Sequence, residues 1–185
     1  MEGMDLTPAA LLESTRPSLG AIRLIAVDGP SAAGKSTFAR RLAAALDAPL
    51  LGSDEFPVPW DGDPLAWWPR AEPLLAKLAA GRPATFHPYD WRTGDHGPAR
   101  EIPVAAFLVL EGVGAAWRGC PAALRIWVDA PHDVRRRRAE RRDGPAILPS
   151  WDAWSVRERH HFTTDGTIAD LIVTPDSRPL LRERK

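Results

Sequence analysis

Lys35 is one of only three lysines in a chain that carries 21 arginines, so its placement stands out against the arginine bias. It belongs to the run Gly29-Pro30-Ser31-Ala32-Ala33-Gly34-Lys35-Ser36, a full match to the pattern G-x-x-x-x-G-K-[ST]. Glycines in such a loop let the backbone turn tightly enough for successive N–H groups to converge on an anion. A helix starting near Lys35 adds its positive dipole end. The residues divide over a nucleoside triphosphate accordingly. Gly29, Pro30, Ser31, Ala32, Ala33, Gly34 and Thr37 form the phosphate cradle, Lys35 reaches the β and γ phosphates, and the Ser36 hydroxyl completes part of a Mg²⁺ shell. ATP and Mg²⁺ are the expected ligands.

A phosphate loop alone fits a kinase, a motor ATPase or a GTPase, and the acids and arginines further along have to decide. Asp54 lies in Gly52-Ser53-Asp54-Glu55-Phe56, just past a short apolar segment. At the carboxyl edge of a parallel sheet it would accept the proton of an incoming hydroxyl and aim that oxygen at the γ phosphate, with Glu55 the alternative base and a turn-capping role the plain alternative. Glu111 directly follows the apolar run 104–110 and is expected at a strand end, holding Mg²⁺ opposite Ser36 before Gly112 and Gly114 turn the chain away. Arg135, Arg136, Arg137, Arg138, Arg141 and Arg142 place six guanidinium groups in eight residues. On a helix, two or three of these can face the phosphates as a mobile lid. A solvated helix face and a nucleic-acid tract are the other two readings.

These residues need elements to hold them. Periodicity and breakers give a short amphipathic helix over 6–15, a buried strand over 22–27, and an alanine-rich helix over 37–46 that ends before Pro49. A brief strand over 49–53, a helix over 65–80 closed by Gly81, and strands over 104–110 and 124–128 follow. The arginine-rich helix, a helix over 151–162, a last strand over 168–173 and a polar tail complete the chain. Strands separated by helices imply an α/β fold, a P-loop three-layer sandwich with a mostly parallel five-stranded sheet and an arginine-rich lid. One domain over 1–185 is expected, with a helical extension over 1–20, a proline-rich substrate-side excursion over 55–103 and the lid over 131–148.

Composition excludes several classes. Acidic and basic residues number 24 each, so no global basic field draws the chain to nucleic acid or an anionic membrane. The single cysteine, Cys120, suits a reducing cytoplasm, and the apolar runs are far shorter than a membrane span. No asparagine or glutamine occurs anywhere, which argues against a GTPase that reads guanine through Asn-Lys-x-Asp and positions water with glutamine. The histidines His87, His96, His132, His160 and His161 lack zinc-ligand spacing.

Asp28-Gly29-Pro30-Ser31 with Ala33-Gly34-Lys35-Ser36-Thr37, then Ser53-Asp54-Glu55-Phe56, Trp60-Asp61, Pro88-Tyr89-Asp90-Trp91, Leu110-Glu111-Gly112 and the arginines of 135–142 occur in the order found in the uridine kinase family, which the chain resembles over residues 20–175. The resemblance implies a kinase that phosphorylates a hydroxyl of a small metabolite, typically the 5′-hydroxyl of uridine or cytidine. It carries over Asp54 as the base of the Asp-x-Phe-Tyr motif with Phe56 beside it, Asp61 after aromatic Trp60 as an acid on ribose hydroxyls, Tyr89 as a border of the base, and Arg138 and Arg142 as lid arginines. Trp60 and Trp91 are the tryptophans expected at the acceptor. Pro57 stands where the family carries tyrosine, and a chain without amide side chains would read a pyrimidine through backbone, histidine or arginine groups.

The expectation is therefore an ATP- and Mg²⁺-dependent phosphotransferase acting on a nucleoside. The catalytic residues would be Lys35, Asp54, Arg138 and Arg142, with a homo-oligomer left open. Kinases of pantothenate, a sugar or an antibiotic, and a nucleotide-dependent RNA-binding ATPase using the arginine run, are the alternatives.

Overall fold

The computed structural model describes residues 7–164, 168–174 and 180–181. The first residues of the N-terminal extension and most of the polar tail lie outside them.

Alternating burial sets the architecture. Along β1 (Arg23–Asp28), Leu24 and Ala26 join one apolar cluster while Ile25 and Val27 join another. A strand apolar on both faces must be covered by helices on both sides. α2 (Lys35–Ala45) covers the second face with Ala39, Leu42 and Ala43, and α1 (Pro8–Ser14) adds Leu11 there. β2 (Leu50–Gly52) leads through a single turn of tight helix, Ser53–Glu55, into the excursion. The excursion contains α3 (Trp68–Ala79), which covers the first face with Trp68, Leu74, Leu75 and Leu78. It also holds two antiparallel ribbons, β3 (Ala84–Phe86) with β6 (Arg100–Ile102), and β4 (Tyr89–Asp90) with β5 (Asp95–His96). β7 (Phe107–Glu111) and β8 (Leu124–Val128) return to the sheet. α4 (His132–Asp143), the turn Pro145–Ile147, α5 (Leu148–Thr164), β9 (Leu171–Val173) and β10 (Leu180–Leu181) follow.

The sheet order is β10-β9-β8-β1-β7-β2. Five strands run parallel, as the alternation of elements implies, and β10 adds a short antiparallel edge that the sequence pattern does not show. The excursion is more than a loop, because α3 closes the core and the ribbons stand beyond it. Two strands start later than their apolar runs. Val104 is exposed because β7 finds its first partner only at Arg23↔Phe107, and Ile168 is exposed because pairing with β8 begins at Leu171. The register places Val27, Glu111 and Gly52 side by side. The carboxyl ends of β1, β7 and β2 therefore deliver Asp28, Glu111 and Ser53-Asp54 to one edge.

Candidate active site

β1 ends in Asp28, and the backbone enters the phosphate loop at once. Gly29 adopts φ 138°, and a Cβ there would stand 2.1 Å from the Val128 carbonyl oxygen, so only glycine lets the loop leave the sheet between β1 and β8. Ala32 holds φ 62° and Gly34 φ 109° before α2 begins at Lys35. The Lys35 ammonium, buried, donates to the Pro30 carbonyl at 3.1 Å and so folds back over the loop.

Asp28 is fully buried and locks this loop to the turn after β7. Its Oδ1 accepts from the N–H groups of Gly29 and Gly114, and its Oδ2 accepts from that of Ala116. Burial pushes its carboxyl up from the ordinary range, while these donors and nearby Lys35 pull it back. From outside, the indole N–H groups of Trp67 and Trp68 donate to the carbonyls of Val113 and Gly114. Gly112 belongs to the same turn. A Cβ there would meet the Ser53 hydroxyl oxygen at 2.0 Å, so the chain after β7 passes hard against the chain after β2.

Glu111, at the end of β7, is buried and pushed up to about 6, first by burial and then by repulsion from Asp54 against the pull of Lys35, a hydrogen bond from Ser36 and the charge of Arg40. A hydroxyl bonded to one carboxylate, with a second carboxylate on the same cavity wall, is a set of oxygen donors that suits a hard cation such as Mg²⁺. Asp54 follows β2 in the tight turn, where its carbonyl accepts from the Trp91 indole N–H at 2.7 Å. Glu55 is spent differently. Its Oε2 accepts from Arg100 Nη2 and from the Gly52 N–H, and partial burial raises its carboxyl despite Arg100.

One cavity of about 760 Å³ gathers most of the residues singled out by sequence. Ser31, Ala32, Gly34, Lys35, Ser36 and Thr37 line it with Asp54, Phe56, Trp60, Trp91, Glu111, Arg138 and Arg142. Gly29, Pro30 and Ala33 shape the loop but are not on the wall. Asp61, expected near sugar hydroxyls, is exposed and off the wall as well. Tyr89, expected beside a base, packs edge-on to Trp91 and His96, so Trp91 takes the wall position. Arg40, Trp67, Asp143 and Trp154 line the cavity unforeseen. Arg40 follows Ser36 by one helical turn, a spacing readable in advance. Trp154 stands three residues after Trp151 on α5, yet Trp151 is fully buried while Trp154 reaches the loop.

The arginine run is largely engaged within the protein. Arg135 pairs with Glu158, Arg136 with Asp152, Arg137 with Asp133 and Arg142 with Asp143. Arg138 Nη1 donates to the carbonyls of Ala32 and Ala33. Along α4, Arg135 and Arg138 are thus directed at the phosphate loop and Arg136, Arg137 and Arg142 are paired with acids, while Arg141 is exposed, which breaks up the free basic stripe that nucleic acid needs. Among the described residues no helix is long and apolar enough to cross a membrane.

The sequence model of the cytidylate kinase family matches residues 25–56, the stretch from β1 through the phosphate loop to the Asp54 turn. No curated protein matches the chain. Among solved structures, a candidate fructose transport system kinase from Silicibacter sp. TM1040 superposes with a TM-score of 0.67 at 20% identity, covering 92% of this chain and all of that one. A candidate uridine kinase from Bacillus stearothermophilus superposes with a TM-score of 0.58 at 18% identity, covering 82% of this chain and 88% of that one. The chain has the P-loop kinase fold.

Proposed function

We propose that the protein is an ATP- and Mg²⁺-dependent kinase that transfers the γ phosphate to a hydroxyl of a small molecule, and that the acceptor is a pyrimidine nucleoside phosphorylated at its 5′-hydroxyl. The carrying observation is that a single cavity is walled by the phosphate loop with Lys35, Ser36 and Glu111, by Asp54, and by the separate indoles of Trp60 and Trp91. A donor, a base and a flat apolar surface for a ring then share one space. The partial uridine kinase resemblance and the description of one structural neighbour support the acceptor class.

Lys35 holds the β and γ phosphates, the loop amides surround them, and Arg138 and Arg142 add positive charge from α4. Ser36 and Glu111, with Asp54 nearby, would hold Mg²⁺, which neutralises phosphate charge as it shifts during transfer. Asp54 accepts the proton of the acceptor hydroxyl. It is favoured over Glu55, whose carboxylate is tied to Arg100. Transfer is then chiefly positioning and charge neutralisation. A base would stack on Trp91 or Trp60 and be read by backbone groups, since amide side chains are absent.

The test is a panel of nucleosides, sugars and pantothenate assayed with radiolabelled ATP. Uridine or cytidine should be labelled fastest. Asp54→Asn should abolish label transfer while nucleotide affinity stays within about threefold of wild type. Full activity in that variant would remove Asp54 as base, and labelling of sugars alone would overturn the nucleoside assignment.

A further inference from the structure

Ser31, in the middle of the phosphate loop, is held by residues more than 100 positions along the chain. Its N–H donates to Glu158 Oε2 at 2.8 Å, its carbonyl accepts from Arg135 Nη1 at 3.2 Å, and its hydroxyl accepts from the Trp154 indole N–H at 2.8 Å. All three of its polar groups are therefore held by α4 and α5. Glu158 is 1% exposed, and its second oxygen accepts from Arg135 Nη1 at 2.9 Å. Arg135 also donates from Nε to the Ala130 carbonyl and lies over the Trp151 ring.

A buried ion pair adds little net stability, because desolvation of both charges offsets their attraction. What such a pair supplies is geometry. Glu158 and Arg135 also sum to zero charge, so a carboxylate can sit beside a site for polyanions without repelling them. One turn further along α4, Arg138 donates to the carbonyls of Ala32 and Ala33. A planar trans peptide that fixes its carbonyl on one side directs the next N–H to the other. Arginines on the carbonyls of Ser31 and Ala33 therefore aim the N–H groups of Ala32 and Gly34 away from α4.

Position along the loop decides which phosphate is concerned. The Lys35 ammonium donates to the Pro30 carbonyl, which places it beside the Pro30–Ser31 peptide. A lysine at this place in the pattern serves the β and γ phosphates. Ser31 is thus at the γ end, away from the amides that open α2. We propose that Glu158 and Trp154 are positioning residues for the γ phosphate end of the loop. With Arg135 they clamp Ser31, so that the cradle discriminates a triphosphate from a diphosphate. The inference rests on the nucleotide-binding reading above.

Calorimetric titration with the Mg²⁺ complexes of a non-hydrolysable ATP analogue and of ADP tests it. Trp154→Phe keeps an aromatic side chain but loses the indole N–H together with the five-membered ring, and should weaken the triphosphate analogue about fivefold, chiefly the worth of one hydrogen bond. Glu158→Gln should weaken it more, by about 20-fold, since a charged acceptor is lost. ADP affinity should stay within about twofold in both variants, and the thermal midpoint of Trp154→Phe should fall by no more than about 4 °C. Should Glu158→Gln fail to fold, Trp154→Phe carries the test alone. Equal weakening of both nucleotides, or no weakening, overturns the positioning role while leaving nucleotide binding intact. A wild-type protein that binds neither nucleotide overturns both readings.

Discussion

Asp28 and Asp90 both accept backbone N–H groups, one on each side of the cavity, and the contrast between them describes the two sides. Asp28 is completely buried, and its three donors are the adjacent Gly29 and, 86 and 88 residues along the chain, Gly114 and Ala116. Asp90 accepts from the N–H and the guanidinium of Arg92, two residues on, and that pairing holds its carboxyl below the ordinary range. The donor side is tied across elements by groups removed from water. The acceptor side is tied locally at the surface, by ribbons of two and three residues and by the half-exposed Trp91. A phosphate chain is the same in every reaction of this kind and rewards a preformed cradle. An acceptor pocket must admit and release its ligand, and weak local bonds permit that.

Lys35→Ala should break the donor side most severely. Loss of the buried ammonium should lower transfer by about 10³-fold or more and raise the ATP Kd, both measurable by steady-state kinetics and calorimetry. Next in size, Asp28→Ala strands three backbone N–H groups and should cost about 4 kcal/mol in urea denaturation. Asp90→Ala should leave the denaturation midpoint unmoved. Equal effects of the two changes would erase the contrast.

Glu111 sharpens the comparison through pH. Its carboxyl titrates at about 6 in the folded chain against an ordinary 4.5. A raised folded value means that its contribution is fully present below 4.5 and is lost as pH rises through 6. In chelator-treated protein, Glu111→Gln should therefore gain up to about 2 kcal/mol over wild type between pH 4.5 and pH 7. A constant difference across that range would show that Glu111 is not strained by burial. The smallest effect is expected on the acceptor side. Trp91→Phe loses the bond to the Asp54 carbonyl and should raise the acceptor KM about threefold while leaving the nucleotide KM unchanged.

The two sides also differ in how legible they were. The phosphate loop, Asp54 and Glu111 could be placed from sequence because each depends on local pattern: a glycine-lysine spacing, a turn after a short strand, an acid closing an apolar run. Asp61 and Tyr89 were drawn from resemblance and stand off the cavity wall: Asp61 sits in an exposed turn closed by the Gly62 N–H on the Pro59 carbonyl, and for Tyr89 the ribbon decides which aromatic faces inward. Trp154 could not be separated from Trp151 by spacing, since period alone does not say which side of a helix meets another element. Glu55 and Asp54 were adjacent alternatives until Arg100, 45 residues away, was seen to occupy one of them.

The sequence by itself determined the phosphate loop, the alternation of strands and helices, and the absence of amide side chains, all properties of residue type and short spacing. Only the tertiary structure decided that Asp28 joins two turns, that Ser31 is gripped from α4 and α5, and that the arginine run faces the loop. Each of those is a contact between residues about 85 to 130 positions apart, fixed by sheet register and helix packing rather than by any neighbour in the chain.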